Sequence, residues 1–146
     1  MKIPMKMRCQ FICSIAFFLF IGPTSAIASS TLYERLGGLE NIRAIVSQTI
    51  DRTATDPQTR AIFEGIRLAP VKESVTMHLC EISGGPCRYD GAPMAKAHSG
   101  MGISSKQFNL MDAYLSQSLT DHGVKDADKA NLARLLQPLK PEIIEK

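Results

Sequence analysis

Apolar side chains recur at helical spacing in four stretches of the chain. The first runs through Leu39, Ile42, Ile45, Val46, Thr49, Ile50 and Thr53, a single stripe with a period near 3.6 residues. It begins after Gly37-Gly38 and ends near Asp56-Pro57, because a proline disfavours helix at the residue before it. The second holds Val71, Val75, His78, Leu79 and Ile82. Pro70 sits at its start, where a missing N–H costs little, and Gly84-Gly85 stops it. The third carries Phe108, Met111, Leu115 and Leu119, with Ser104 or Ser105 as cap and Gly123 beyond its end. The fourth carries Leu132, Leu135, Leu136, Leu139 and Ile143, with Asp126 or Asp128 at its N-terminus. No alternating strand pattern of useful length accompanies them. Four amphipathic stripes that must bury one another predict an all-α domain.

Between the second and third stripes lies a connection from Gly84 to Ile103 with five glycines and two prolines. Loops of that length are uncommon unless functional. Met94-Ala95-Lys96-Ala97-His98 predicts one short helical turn inside it. The obvious chemical group there is His98, whose neutral imidazole can ligate a metal or a haem iron. A lone histidine is equally at home on a surface or satisfied in a core, so spacing alone leaves both readings open.

The N-terminus reads differently. Lys2, Lys6 and Arg8 precede an apolar run from Phe11 to Gly22, then Pro23 and the small-residue pattern Ala26-Ile27-Ala28. This order is that of a secretory signal peptide, predicting a leader over 1–28 and a mature domain over 29–146. The apolar run is twelve residues, too short for a helix to cross a bilayer of roughly 30 Å. The expectation is a periplasmic or secreted protein with no stable membrane anchor after cleavage. Removing those three cations takes Lys and Arg from 17 to 14, equal to the 14 Asp and Glu. A mature domain of zero formal charge carries no electrostatic footprint for nucleic acid. The 146 residues, 45% hydrophobic and 21% charged, are enough for one packed domain and exclude a disordered chain.

Cys80 and Cys87 remain in the mature chain, and an oxidising compartment permits their pairing. The eight-residue loop so closed contributes roughly 2.5 kcal/mol at most. Free thiols satisfy the same spacing. There is no Cys-x-x-Cys-His for covalent haem attachment, no zinc spacing, and no Gly-x-Ser-x-Gly nucleophile elbow.

Taken in chain order, several of these features resemble the truncated haemoglobins, group 1. Leu32-Tyr33-Glu34-Arg35-Leu36-Gly37-Gly38 is similar to the family's opening. Phe63 falls where the family places a phenylalanine on the haem plane. Gly84-Gly85-Pro86 with Tyr89 and Gly91 resembles its second glycine motif, and Pro93-Met94, His98, Gly100 and Gly102-Ile103 resemble the stretch holding the iron-binding histidine. The resemblance covers residues 31–141 and implies a truncated globin, a two-on-two helical sandwich. It further implies a haem b (iron protoporphyrin IX) with His98 as proximal ligand. The wall it implies comprises Phe63, Val71, Val75, Met94, Met101, Ile103, Phe108 and Met111. The implied function is binding of diatomic gases (O2, CO, NO) at a five-coordinate or weakly six-coordinate iron, with redox chemistry on nitric oxide and a reductase partner as further expectations.

The chain departs from that family on the distal side. Ile50 stands where many group 1 members carry a tyrosine, and Val71 and Val75 stand where polar residues often serve. The missing donors imply weaker retention of a polar ligand such as O2, by on the order of 1–3 kcal/mol. Thr49, Ser74 and His78 are the polar groups left near that face, and His78 is a candidate sixth iron ligand. His122, beside Gly123, is expected in a solvated loop, and Asp112, Asp121, Asp126 and Asp128 on a solvated helix face or as caps. Lys72, Lys96 and Arg67 are candidate partners for haem propionates. Two other readings compete: a haem-free helical interaction module and a bis-histidine electron-transfer protein.

Overall fold

The computed structural model describes residues 30–145. Among them the chain forms seven α-helices and two 3₁₀ turns, and no strand. The helices are α1 (Leu32–Arg35), α2 (Gly38–Thr55), α3 (Leu68–Ile82), α4 (Met94–His98), α5 (Ser105–Asp121), α6 (Asp126–Leu136) and α7 (Lys140–Ile143). The 3₁₀ turns, Arg60–Phe63 and Gln137–Leu139, precede α3 and α7. The predicted leader lies outside the described residues. Among the described residues no helix is long and apolar enough to cross a membrane.

Helix α2 is the hub, packed on α3 along one side and on α5 along another, while α5 also meets α6. The result is a two-on-two sandwich of α2/α3 and α5/α6. Its core joins Leu36, Ile42, Ile45, Val46, Ile50, Leu79, Cys80, Leu119, Val124 and Leu132. The stripe predicted on α2 is the one observed, since Ile42, Ile45, Val46, Thr49, Ile50 and Thr53 are all buried. Helix α5 starts in a capping box: Ser104 accepts from the Gln107 N–H while the Gln107 side chain accepts from the Ser104 N–H. Ion pairs align the layers, Lys72 Nζ to Asp51 at 2.7 Å and Arg43 to Glu73 across α2/α3, Arg52 to Asp121 at 2.8 Å across α2/α5. Such exposed pairs contribute about 0–1 kcal/mol each and set alignment more than stability.

Two expectations are corrected at the C-terminal half. The fourth stripe is not one helix: it breaks after Leu136 into a 3₁₀ turn and α7. Pro138 and Pro141 lack the N–H that a continuous helix needs four residues back, and each lies in the first turn of a new element. Leu135 accordingly faces solvent, 42% exposed. Asp128 is not a solvated cap; it is 6% exposed and accepts from Arg35 Nε at 2.6 Å, tying α1 to α6. His122 lies, as expected, in the turn that follows α5, half-buried, with its backbone N–H returning to the Ser118 carbonyl at 3.1 Å.

Candidate functional site

Helix α4 is a single turn built for one side chain. Pro93 precedes it, and the Pro93 carbonyl accepts from the N–H groups of Lys96 and Ala97, both at 2.9 Å. At the other end His98 Nδ1 lies 2.9 Å from the Met94 carbonyl oxygen. A carbonyl only accepts, so Nδ1 carries the proton and Nε2 keeps its lone pair. The ring is half-buried and oriented, with one nitrogen engaged and the other available to a metal.

The segment behind His98 is held from the far end of the chain. The Glu145 carboxylate accepts from the N–H of Gly102 at 2.8 Å and from that of Gly100, and the Glu145 N–H donates to the Ile103 carbonyl at 2.9 Å. Helix α7 packs on α4 in the same region. Sequence reading missed Glu145, since a lone acid near a C-terminus carries no local signal of a partner more than forty residues upstream.

Most of the apolar residues expected to form the wall are only partly covered. Phe63, Val71, Val75, Met94, Met101, Phe108 and Met111 are all half-buried, whereas Ile103 is 7% exposed. Phe63, Val71, Val75 and Met111 pack with one side against the core cluster. Phe108 has Lys140 Nζ 5.2 Å from its ring centre. A set of large apolar side chains left partly uncovered in one small domain is surface that a flat apolar group would bury. An open cleft of about 620 Å³ reaches Phe63, bounded by Ala54, Arg60, Ile66 and Leu68, and His98 is not among its lining residues. A cavity of about 220 Å³ between α5 and α6 is likewise not lined by His98.

The polar groups divide clearly. Thr49 Oγ1 donates to the Ile45 carbonyl at 2.8 Å and Thr53 Oγ1 to the Thr49 carbonyl at 2.8 Å, so both hydroxyl protons are spent inside α2. Ile50 is 1% exposed. Lys72 is engaged by Asp51 and Ser47, whereas Arg67 and Lys96 are exposed. His78 is different: both of its ring nitrogens are buried and neither has a hydrogen-bond partner. Burial pushes its pKa below the ordinary imidazole range, with the charge of Glu81 opposing in part. The ring meets Tyr89 edge-on, with centroids 4.9 Å apart and planes at 61°.

The cysteines that the sequence left open are bonded. Cys80, near the end of α3, joins Cys87 across a Cα–Cα distance of 5.7 Å. The chain reverses between them through Gly85, where a Cβ would stand 2.6 Å from Cys80 Sγ and 2.8 Å from the Cys80 carbonyl oxygen. Beyond Cys87 the Tyr89 hydroxyl donates to the Ala92 carbonyl at 2.7 Å and its ring closes over Gly91, where a Cβ would lie 2.4 Å from it. Disulfide and tyrosine together fix the loop that delivers α4.

With this geometry in view, the comparisons with known proteins agree. The profile of the bacterial-like globin family matches residues 31–145. A group 1 truncated haemoglobin of a Nostoc species is 33% identical over 118 residues, 80% of this chain and 99% of its own. That of Mycolicibacterium paratuberculosis is 32% identical over 114 residues, 78% of this chain and 84% of its own. This chain belongs to the group 1 truncated haemoglobin family. Among solved structures, the Fe(III) form of the truncated haemoglobin from Tetrahymena pyriformis superposes with a TM-score of 0.76 at 26% identity, covering 80% of this chain and all of that one. A 2/2 haemoglobin from a Synechococcus species, 19% identical with a TM-score of 0.73, shares the fold. Within the truncated haemoglobin fold, His98 is the half-buried imidazole with one nitrogen engaged by a carbonyl, and His78 the one with none.

Proposed function

We propose that this chain is an exported haem protein that binds diatomic gases (O2, CO, NO) reversibly, with haem b as its cofactor and His98 as the proximal ligand. The observation that carries the reading is the His98–Met94 hydrogen bond, which leaves Nε2 as the free base on an oriented ring. When bound, the cofactor supplies an iron centre whose open position takes a diatomic ligand. The half-buried apolar residues suit that cofactor: Phe63, Val71, Val75, Met94, Met101, Phe108 and Met111 would hold it, supplying apolar contact and excluding water. Ile103, 7% exposed, is the most buried member of the set, and its carbonyl accepts from the Glu145 N–H. Of the three candidate cations, Arg67 and Lys96 are exposed and would suit propionate carboxylates, whereas Lys72 is paired with Asp51.

Export is part of the same reading. Cleavage after Ala28 would leave a mature chain that starts at Ser29, in a periplasmic or secreted setting where the Cys80–Cys87 bond persists. Reversible binding of O2 and CO requires ferrous iron, so a reductase partner belongs to the proposal. Titrating haem into the purified chain past one equivalent tests it: a Soret band that saturates at one haem per chain supports the reading. A featureless titration, the outcome for a haem-free interaction module, defeats it.

A further inference from the structure

Helix α4 has five residues, and a single helical turn has no stability of its own in water. Met94 and His98 are its half-buried side chains, whereas Ala95, Lys96 and Ala97 are exposed. What fixes His98 in space therefore comes from the two loops that bracket the turn and from α7, on which α4 packs. On the entry side the Cys80–Cys87 bond sets the loop, together with the Tyr89 hydroxyl that donates to the Ala92 carbonyl at 2.7 Å. On the exit side packing does less. Gly100 and Gly102 stand at φ +78° and +61°, and a Cβ built on either would meet no heavy atom within 4 Å beyond its chain neighbours.

Hydrogen bonds hold that exit loop instead. The Met101 N–H donates to the His98 carbonyl at 3.2 Å and closes a turn. The N–H groups on either side of it, those of Gly100 and Gly102, both donate to the Glu145 carboxylate, the latter at 2.8 Å. Two positive-φ residues flanking Met101 thus aim their N–H groups at one anion, and glycine takes that conformation at no steric cost. Glu145 is anchored in turn. Its own N–H donates to the Ile103 carbonyl at 2.9 Å. Helix α7, which leads to it, begins at Lys140, whose Nζ donates to Asn109 Oδ1 at 2.8 Å and lies 5.2 Å from the Phe108 ring centre. Residues 140–145 strap the exit loop of His98 to α5. We propose that Glu145 is a positioning residue for His98: by holding the Gly100 and Gly102 N–H groups it fixes the turn that opens at the His98 carbonyl, and with it the direction in which the ring presents Nε2. What Nε2 meets there rests on the haem-binding reading.

The test uses the haem-loaded protein and two readouts, backbone amide exchange in the CO form and the iron–histidine stretching band of the ferrous form. Glu145→Ala is expected to speed exchange of the Gly100 and Gly102 amides by up to about tenfold, the effect of one lost hydrogen bond. With haem still bound at one per chain, it is also expected to shift and broaden the iron–histidine band. Glu145→Gln keeps one side-chain oxygen as acceptor and retains part of both signatures, and it carries the test if the alanine variant does not fold. Glu142→Gln, at an exposed acid of α7, alters neither. Faster exchange with an unmoved iron–histidine band would overturn the proposal and leave Glu145 as support for the loop alone. Unchanged exchange would overturn it by showing that α7 packing holds the turn without the carboxylate. Absence of a Soret band in the unsubstituted protein is a separate failure, that of the haem reading itself, and removes the proposal with it.

Discussion

The Glu145 carboxylate accepts the Gly102 N–H at 2.8 Å, joining the C-terminal end of the described chain to the loop that leaves His98. The same carboxylate holds the Gly100 N–H, so one exposed side chain organises two backbone groups two and four residues past His98. Glu145→Ala is expected to cost about 0.5–1.5 kcal/mol, the range for an ordinary hydrogen bond rather than a buried charge-assisted one. The loss should appear both in chemical denaturation and as faster transfer of haem to an excess of apomyoglobin. Unchanged haem loss would mean that α7 packing alone secures the loop.

Reduction of Cys80–Cys87 should lower stability by about 2.5 kcal/mol or less, the entropy of an eight-residue closure. The effect should be local as well. Cys80 is fully buried at the end of α3, and Cys87 leads into Tyr89, so opening the bond loosens the contact between His78 and Tyr89. Hydrogen exchange with and without reductant checks this, with residues 84–92 expected to lose protection before α2 does. Uniform loss across the domain would contradict it.

Asp56 and Tyr114 give the fold an acid-sensitive link. The Tyr114 hydroxyl donates to Asp56 Oδ2 at 2.6 Å and the Gln58 N–H to Asp56 Oδ1 at 2.6 Å. These bonds hold the Asp56 carboxyl below its ordinary pKa, the tyrosine contributing most. A depressed carboxylate stabilises the fold fully above its unfolded pKa of about 3.9, and that stability is lost as pH falls through the lower folded value. Tyr114→Phe should therefore move the acid-unfolding midpoint upward while leaving the slope above pH ~5 unchanged. The same bond raises the Tyr114 pKa, so ultraviolet titration should find it ionising later than an unperturbed tyrosine. An unmoved acid midpoint would count against the link.

The periodic helices α2, α3 and α5 were legible because apolar spacing and end signals coincide, as at the Ser104–Gln107 box. Helix α4 was legible too, its single turn framed by Pro93 and Gly100. Helix α1 was not read as a separate element: it has four residues, too few to display a period, and rests on the Thr31–Glu34 capping box and a buried partner in Asp128. The break at Pro138 escaped because the leucine spacing continues across it while the backbone hydrogen bonds do not. His98 could be nominated from its loop, but the Met94 carbonyl that sets its tautomer is a matter of geometry. Burial of Asp128 and clamping by Glu145 depend on partners more than forty residues away, which no local pattern encodes.

On the proposed function, His98 Nε2 is the base that would hold the iron. The most direct test is the ferrous resonance Raman spectrum of haem-loaded His98→Gly, recorded with and without imidazole. The substitution is expected to abolish the iron–histidine stretching band of the unsubstituted protein and to leave haem weakly held, and added imidazole to restore a closely similar band by filling the vacated space. An iron–histidine band that survives in His98→Gly without imidazole would contradict it.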